Sequence, residues 1–226
     1  MAKSIMRRRA IVFDLDGTLV DSAPDLVATL NNVLARRGRA PIPAEAVRAM
    51  IGNGARALVL CGLEASGGLL APAEINLTVD EFLAHYEAHV ADLSRPFPGV
   101  VEALTALAQD GCVFGVCTNK IERFSVRLLE ALGIAHYFAA IVGGDSLAVR
   151  KPAAGHVLGT LARMGAARAG AVMIGDSSND IAAARAAGLP IIAVSFGYTS
   201  VPAAELGADK VIHHFAELAQ AVAELA

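Results

Sequence analysis

Four polar clusters in this sequence have residue types that make chemical sense together: Asp14 with Asp16, Thr118-Asn119, Lys151, and Asp176 with Asp180. Carboxylates brought this close concentrate negative charge, which is unfavourable unless a hard cation sits among them. Oxygen donors with a few carboxylates are the set that Mg²⁺ prefers. Lys151 adds a point charge and Thr118 a hydroxyl. Gly17 permits a tight turn, so backbone N–H groups after Asp14 are expected to face an anion. A cation, a lysine, a hydroxyl and backbone donors together describe a cradle for a phosphoryl group.

Each cluster follows an apolar run that reads as a buried strand. Ala10-Ile11-Val12-Phe13 leads into Asp14, the run 113–117 into Thr118, and the run 171–174 into Gly175-Asp176. A weaker run at 140–143 precedes Lys151, and runs at 191–194 and 210–212 follow. Helical patterns at 100–109, 122–132, 155–164 and 178–187 alternate with these runs and close at Gly111, Gly133, Gly165 and Gly188. The alternation predicts an α/β fold, a doubly wound, Rossmann-like parallel sheet. The strand ends of such a sheet meet at one rim, where ligands bind.

The segment 22–94 interrupts the alternation. It carries helical patterns near 25–37, 44–50, 56–63 and 73–90 and no convincing strand. A plain crossover needs only about a dozen residues. The segment therefore reads as an all-α helical cap inserted into a core made of 1–21 and 95–226. His85 and His89 imitate a metal pair on one of these helices, but no third ligand is evident, so an amphipathic helix explains them better.

Composition sets the outer limits. The 226 residues carry 19 Lys+Arg against 22 Asp+Glu, a formal net charge of −3, with 55% hydrophobic and 18% charged residues. That excludes a disordered polyelectrolyte and argues against a nucleic-acid partner. Arg7-Arg8-Arg9 is too short a basic run to change this. No apolar stretch approaches the roughly 20 residues of a membrane span, and Asp14 interrupts the apolar run a signal peptide would need. Cys61, Cys112 and Cys117 lack ligand or redox spacing and read as small core residues in a reducing cytoplasm. A cytoplasmic protein with no membrane partner is the expectation.

Phe13-Asp14-Leu15-Asp16-Gly17-Thr18-Leu19-Val20-Asp21-Ser22 resembles the first motif of the haloacid-dehalogenase-type phosphatase superfamily. Thr118-Asn119 is similar to its second motif, Lys151-Pro152 to its third and Gly175-Asp176-Ser177-Ser178-Asn179-Asp180 to its fourth. Segment 22–94 is similar to the superfamily's helical cap. Asp21 to Leu26, Ile51-Gly52-Asn53-Gly54-Ala55 and Thr118-Asn119-Lys120 look most like phosphoglycolate phosphatases.

The resemblance implies a Mg²⁺-dependent phosphatase acting on a small phosphate ester, most like 2-phosphoglycolate. It implies Asp14 as nucleophile, Asp16 as general acid and base, and Lys151 as a stabiliser of phosphoryl charge. Thr118, Asn119 and Lys151 would bind phosphate. Asp14, Asp176 and the backbone carbonyl of Asp16 would hold the metal, supported by Thr18 and Asp180. Asp180 reads equally as a residue favouring the start of its helix. Asn53, Arg56 and Lys120 are candidates for specificity, with Arg56 or Lys120 taking a substrate carboxylate. Exposed helix charges are the plainer reading of both. A sugar-phosphate phosphatase or phosphoglucomutase-like phosphotransferase is the enzymatic alternative, and an Asp-phosphorylated receiver module the non-enzymatic one. The sequence leaves monomer and homodimer open.

Overall fold

Strand β1 (Ala10–Phe13) is buried along its whole length. Alternate side chains go to opposite faces of the sheet, Ile11 and Phe13 into one apolar cluster and Ala10 and Val12 into another. A strand covered on both faces belongs in the middle of a parallel sheet. A computed structural model describes residues 9–225 and places it there. Arg7 and Arg8, and the segment a leader would occupy, lie outside the described residues.

In chain order the remaining elements are β2 (Val20–Asp21), α1 (Ala23–Ala35), α2 (Ala44–Arg48), α3 (Ala55–Ala65), α4 (Pro72–Ala88) and β3 (Arg95–Pro96). They continue with α5 (Val100–Gln109), β4 (Val113–Cys117), α6 (Glu122–Ala131), β5 (Phe138–Val142) and α7 (Ala154–Arg163). The last are β6 (Val172–Gly175), α8 (Ser178–Ala187), β7 (Ile191–Val194), β8 (Lys210–Ile212) and α9 (Leu218–Glu224). The main sheet runs β5-β4-β1-β6-β7-β8, with every pair parallel. The chain builds outward from β1 to β4 and β5, then crosses back to β6. Strand order therefore reverses beside β1, and the crevice at its carboxyl end is the place for a ligand.

Most elements follow the expected pattern. Helix α8 starts with a capping box between Ser177 and Asp180 and ends on Gly188 in the left-handed conformation. Strand β5 starts at Phe138, ahead of the apolar run that signalled it. His85 lies on α4 and His89 caps it with the rings 4.5 Å apart, His85 meeting the Thr29 hydroxyl and His89 pairing with Asp92. Of the cysteines expected in the core, Cys117 is buried, whereas Cys61 is exposed.

One feature was not expected. β2 and β3 pair antiparallel as a two-stranded ribbon, Val20 opposite Pro96 and Asp21 opposite Arg95. Two residues are too few to show alternation, and Pro96 speaks against a strand. The ribbon brings together the two chain segments that lead into and out of helices α1–α4. Those helices bury Leu30, Val33, Val79, Phe82 and Tyr86 in the same cluster as Ile11 and Phe13 of the central strand. No helix among the described residues is long and apolar enough to cross a membrane.

Candidate active site

Asp14 follows β1 at the sheet's centre, between Thr118 after β4 and Asp176 after β6. The Asp14 N–H donates to Ile174 O at 2.9 Å, which fixes its backbone against β6. Carboxylate oxygens of Asp14, Asp176 and Asp180 all lie within 4.8 Å of one another, and all three residues are buried. Lys151 Nζ reaches this group from the loop ahead of α7, 2.7 Å from Asp14 Oδ1 and 2.6 Å from Asp180 Oδ1. The contact to Asp14 is off the direction of a hydrogen bond, so Oδ1 is left without a donor.

Asp180 serves two purposes. Its Oδ1 faces Lys151, while its Oδ2 accepts from the Ser177 N–H at 3.0 Å, the Ser177 hydroxyl at 2.6 Å and the Asp176 N–H at 3.2 Å. It thus both starts α8 and orients Lys151. Asp176 is fixed separately. Its Oδ2 accepts from the Tyr198 N–H at 2.7 Å, and its Oδ1 from the Thr18 hydroxyl at 3.3 Å. Gly17, at φ +83°, packs so closely on Asp176 that a Cβ there would run into the carboxylate.

Three buried carboxylates face one ammonium, so the group carries surplus negative charge. Burial raises the Asp14 carboxyl to about 7; Lys151 opposes the rise and Asp180 adds to it. Asp176 is also raised, by burial first and then by Asp180 and Asp14. Burial works to lower Lys151, but Asp14 and Asp180 outweigh it, and the ammonium is held more strongly than usual. An all-oxygen donor set with unbalanced charge and an orphaned Asp14 oxygen fits a hard divalent cation.

The Asp16 side chain lies outside this carboxylate group. Lys120 Nζ is 2.9 Å from its Oδ1 and 3.2 Å from its Oδ2, and the Ser22 hydroxyl also donates to it. Lys120 is therefore buried in an ion pair, not a solvent-facing charge at the start of α6. The amides of Gly17 to Val20 all bond within the turn after Asp14, to Val20 O or Leu15 O. The N–H groups of Asp16 and Asn119 find no acceptor among the described residues, and they stand at the ends of adjacent strands. Amides without partners at neighbouring strand ends mark a place for an anion.

The helical insert meets the core here. The Asn119 side-chain amide donates to Gly52 O at 3.0 Å and Lys151 O at 3.2 Å. Asn53 accepts from the Asn179 amide at 3.0 Å, on the flank of the site beside Asp176. A cavity between the layers is lined by Asp14, Asp16, Thr118, Asn119 and Lys120 from the core and by α1, α3 and α4 from the insert. Arg56 is not brought in; it is exposed and donates to Asn76 at 2.8 Å.

Sequence reasoning missed three supports. His156, wholly buried, accepts the Lys151 N–H at Nδ1 and contacts Gly143 O through Nε2 at 3.0 Å. Burial lowers its basicity, so the neutral ring donates from Nε2. Tyr198 was missed as the holder of Asp176, and Ser22 as a partner of Asp16. Only the place of Ser22 at the end of the first motif was a usable signal.

Comparison with known proteins agrees with this geometry. A model of the family described as haloacid dehalogenase-like hydrolase matches residues 11–194. The chain is 47% identical to a phosphoglycolate phosphatase of Agrobacterium fabrum, over 94% of this chain and 91% of that one. It is 47% identical to one of Caulobacter vibrioides, over 93% and 89%. A crystal structure of a predicted phosphoglycolate phosphatase from Haemophilus somnus superimposes with a TM-score of 0.90 at 31% identity, covering 96% of this chain and 99% of that one. The chain belongs to the haloacid dehalogenase-like hydrolases and is a phosphoric monoester hydrolase among them.

Proposed function

We propose that this phosphatase hydrolyses 2-phosphoglycolate to glycolate and phosphate through an aspartyl-phosphate on Asp14. The observation that carries the substrate is a buried ammonium, Lys120, on the wall of the cavity that also exposes Asp14. It suits a leaving group with a carboxylate, and the relatives named above bear the matching name.

An Asp14 carboxylate oxygen attacks phosphorus as the P–O ester bond breaks, and Asp16 gives its proton to the departing alkoxide. Asp16 then takes a proton from water, whose oxygen displaces phosphate from Asp14. Lys151, the Thr118 hydroxyl and the Asn119 N–H hold the phosphoryl oxygens. Asp14, Asp176 and the backbone carbonyl of Asp16 would hold Mg²⁺, while Thr18 and Asp180 keep Asp176 and Lys151 in place. When bound, Mg²⁺ supplies charge neutralisation at the phosphoryl oxygens. Residues 22–94 act as a cap over the core of 1–21 and 95–226, excluding water from the reaction. Asn53 sits on the cap's edge, and Arg56 has no part in this arrangement. Three free cysteines suit a reducing cytoplasm.

Release of inorganic phosphate from a panel of phosphorylated metabolites, with Mg²⁺ and with a chelator, tests the reading. The expected result is the highest kcat/KM for 2-phosphoglycolate and loss of activity on chelation. Preference for a sugar phosphate would overturn the substrate, and turnover indifferent to chelation would overturn the metal.

A further inference from the structure

Tyr86 on α4 has a buried hydroxyl with no hydrogen-bond partner among the described residues. Its ring cannot easily turn to find one. It stacks on Phe82 at 6.1 Å and meets the edge of Phe124 from α6 at 5.6 Å. Burial raises the phenol to about 12, so the hydroxyl keeps its proton at neutral pH and can donate. A fixed, dry, unpaired donor is costly and calls for an explanation.

The cavity supplies one. Its core side carries Asp14, Asp16, Thr118, Asn119 and Lys120. Its insert side is apolar, with Leu26, Leu58, Phe82 and Leu83. Among the described residues, Tyr86 is the one side chain with a polar atom that the insert contributes to this lining. Lys120 Nζ lies 4.5 Å from the centre of the Tyr86 ring. The Lys120 ammonium, which also pairs with Asp16, and the Tyr86 hydroxyl thus stand together where the polar core side of the cavity meets its apolar insert side. That suits one compact anion on the leaving group.

We propose that Tyr86 is a specificity-determining residue, its hydroxyl donating to the leaving-group carboxylate that Lys120 pairs with. The proposal rests on the reading of the substrate given above. It explains how one end of a small substrate is recognised by the helical insert while the other is bound by the core.

The test compares 2-phosphoglycolate with ethyl phosphate, which lacks the carboxylate, in the wild type and in Tyr86→Phe. The ratio of their kcat/KM values is expected to fall in the variant by on the order of tenfold, mainly through KM for 2-phosphoglycolate. The variant keeps the ring and its packing, and Lys120 keeps its pair with Asp16, so its melting temperature is expected to stay close to that of the wild type. A ratio that stays the same, with both substrates hit equally or neither affected, overturns the role of Tyr86 and leaves the substrate reading intact. A wild type that does not favour 2-phosphoglycolate over ethyl phosphate overturns the substrate reading, and this proposal with it.

Discussion

Lys151 and Asp180 meet at 2.6 Å, Nζ to Oδ1, with both side chains out of reach of solvent. Because the other Asp180 oxygen caps α8, the residue links the stability of a helix to the position of the ammonium. Asp180→Ala removes both functions. Loss of the cap costs about 1 kcal/mol, while Lys151 keeps Asp14 as a partner. We expect Asp180→Ala to lose about 1 kcal/mol in urea unfolding and to lower kcat at least tenfold. Wild-type stability in the variant would show that neither contact matters.

The raised Asp14 carboxyl gives the metal-free protein an unusual pH response. In the folded chain Asp14 holds its proton to about 7, while in the unfolded chain it releases it near the ordinary 3.8. Between those values the folded state binds more protons, so stability falls as pH rises. The contribution is complete below about 4 and gone above about 7. Melting of wild type and Asp14→Asn in chelator, from pH 4 to 8, reads it together with the rise Asp14 imposes on Asp176. The wild type should lose ground to the variant across that window. Parallel melting curves would show that Asp14 ionises as an ordinary surface carboxylate does.

How much of this was legible in the sequence depends on the range of each interaction. Asp14, Thr118, Lys151 and Asp176 were found because each follows a strand signalled by its own apolar run. Asp180 was legible as a helix-start residue, and the fold joined that reading to its ionic one. Tyr198 reaches the site from the loop after β7, and His156 and Tyr86 from helices whose local pattern serves packing, so nothing near them in sequence marks their targets. The β2–β3 ribbon escaped for want of length. Arg56 was legible as a charge but not as one turned toward Asn76, because the direction of a helix face is set by its packing partners.

Asp16 pairs with Lys120 and Ser22 and lines the same cavity as Asp14. If it protonates the leaving group, its importance must depend on how badly a proton is needed. Asp16→Asn is expected to slow an alkyl phosphate by on the order of a hundredfold or more and p-nitrophenyl phosphate far less. Measured kcat for the two esters decides the matter. Equal losses would assign Asp16 to structure alone, through its pair with Lys120.

Gly17 and Gly38 separate backbone strain from crowding at the site. Both have positive φ, +83° and +66°, so alanine at either must adopt a left-handed conformation. That strain costs roughly 1–2 kcal/mol. At Gly38 nothing lies within 4 Å of the added Cβ, and strain is the whole effect. At Gly17 the Cβ would run into Asp176 Oδ2 and come within 2.9 Å of the Tyr198 ring. Gly197 packs on the Asp176 side chain just as closely, which leaves the carboxylate little room to shift. Gly17→Ala should therefore unfold at lower urea than Gly38→Ala, by about 1–3 kcal/mol of overpacking. It should also bind Mg²⁺ more weakly by calorimetric titration, while Gly38→Ala binds it as the wild type does. Wild-type Mg²⁺ affinity in Gly17→Ala would mean that Asp176 is free to move, and would remove it from the ligands assigned here.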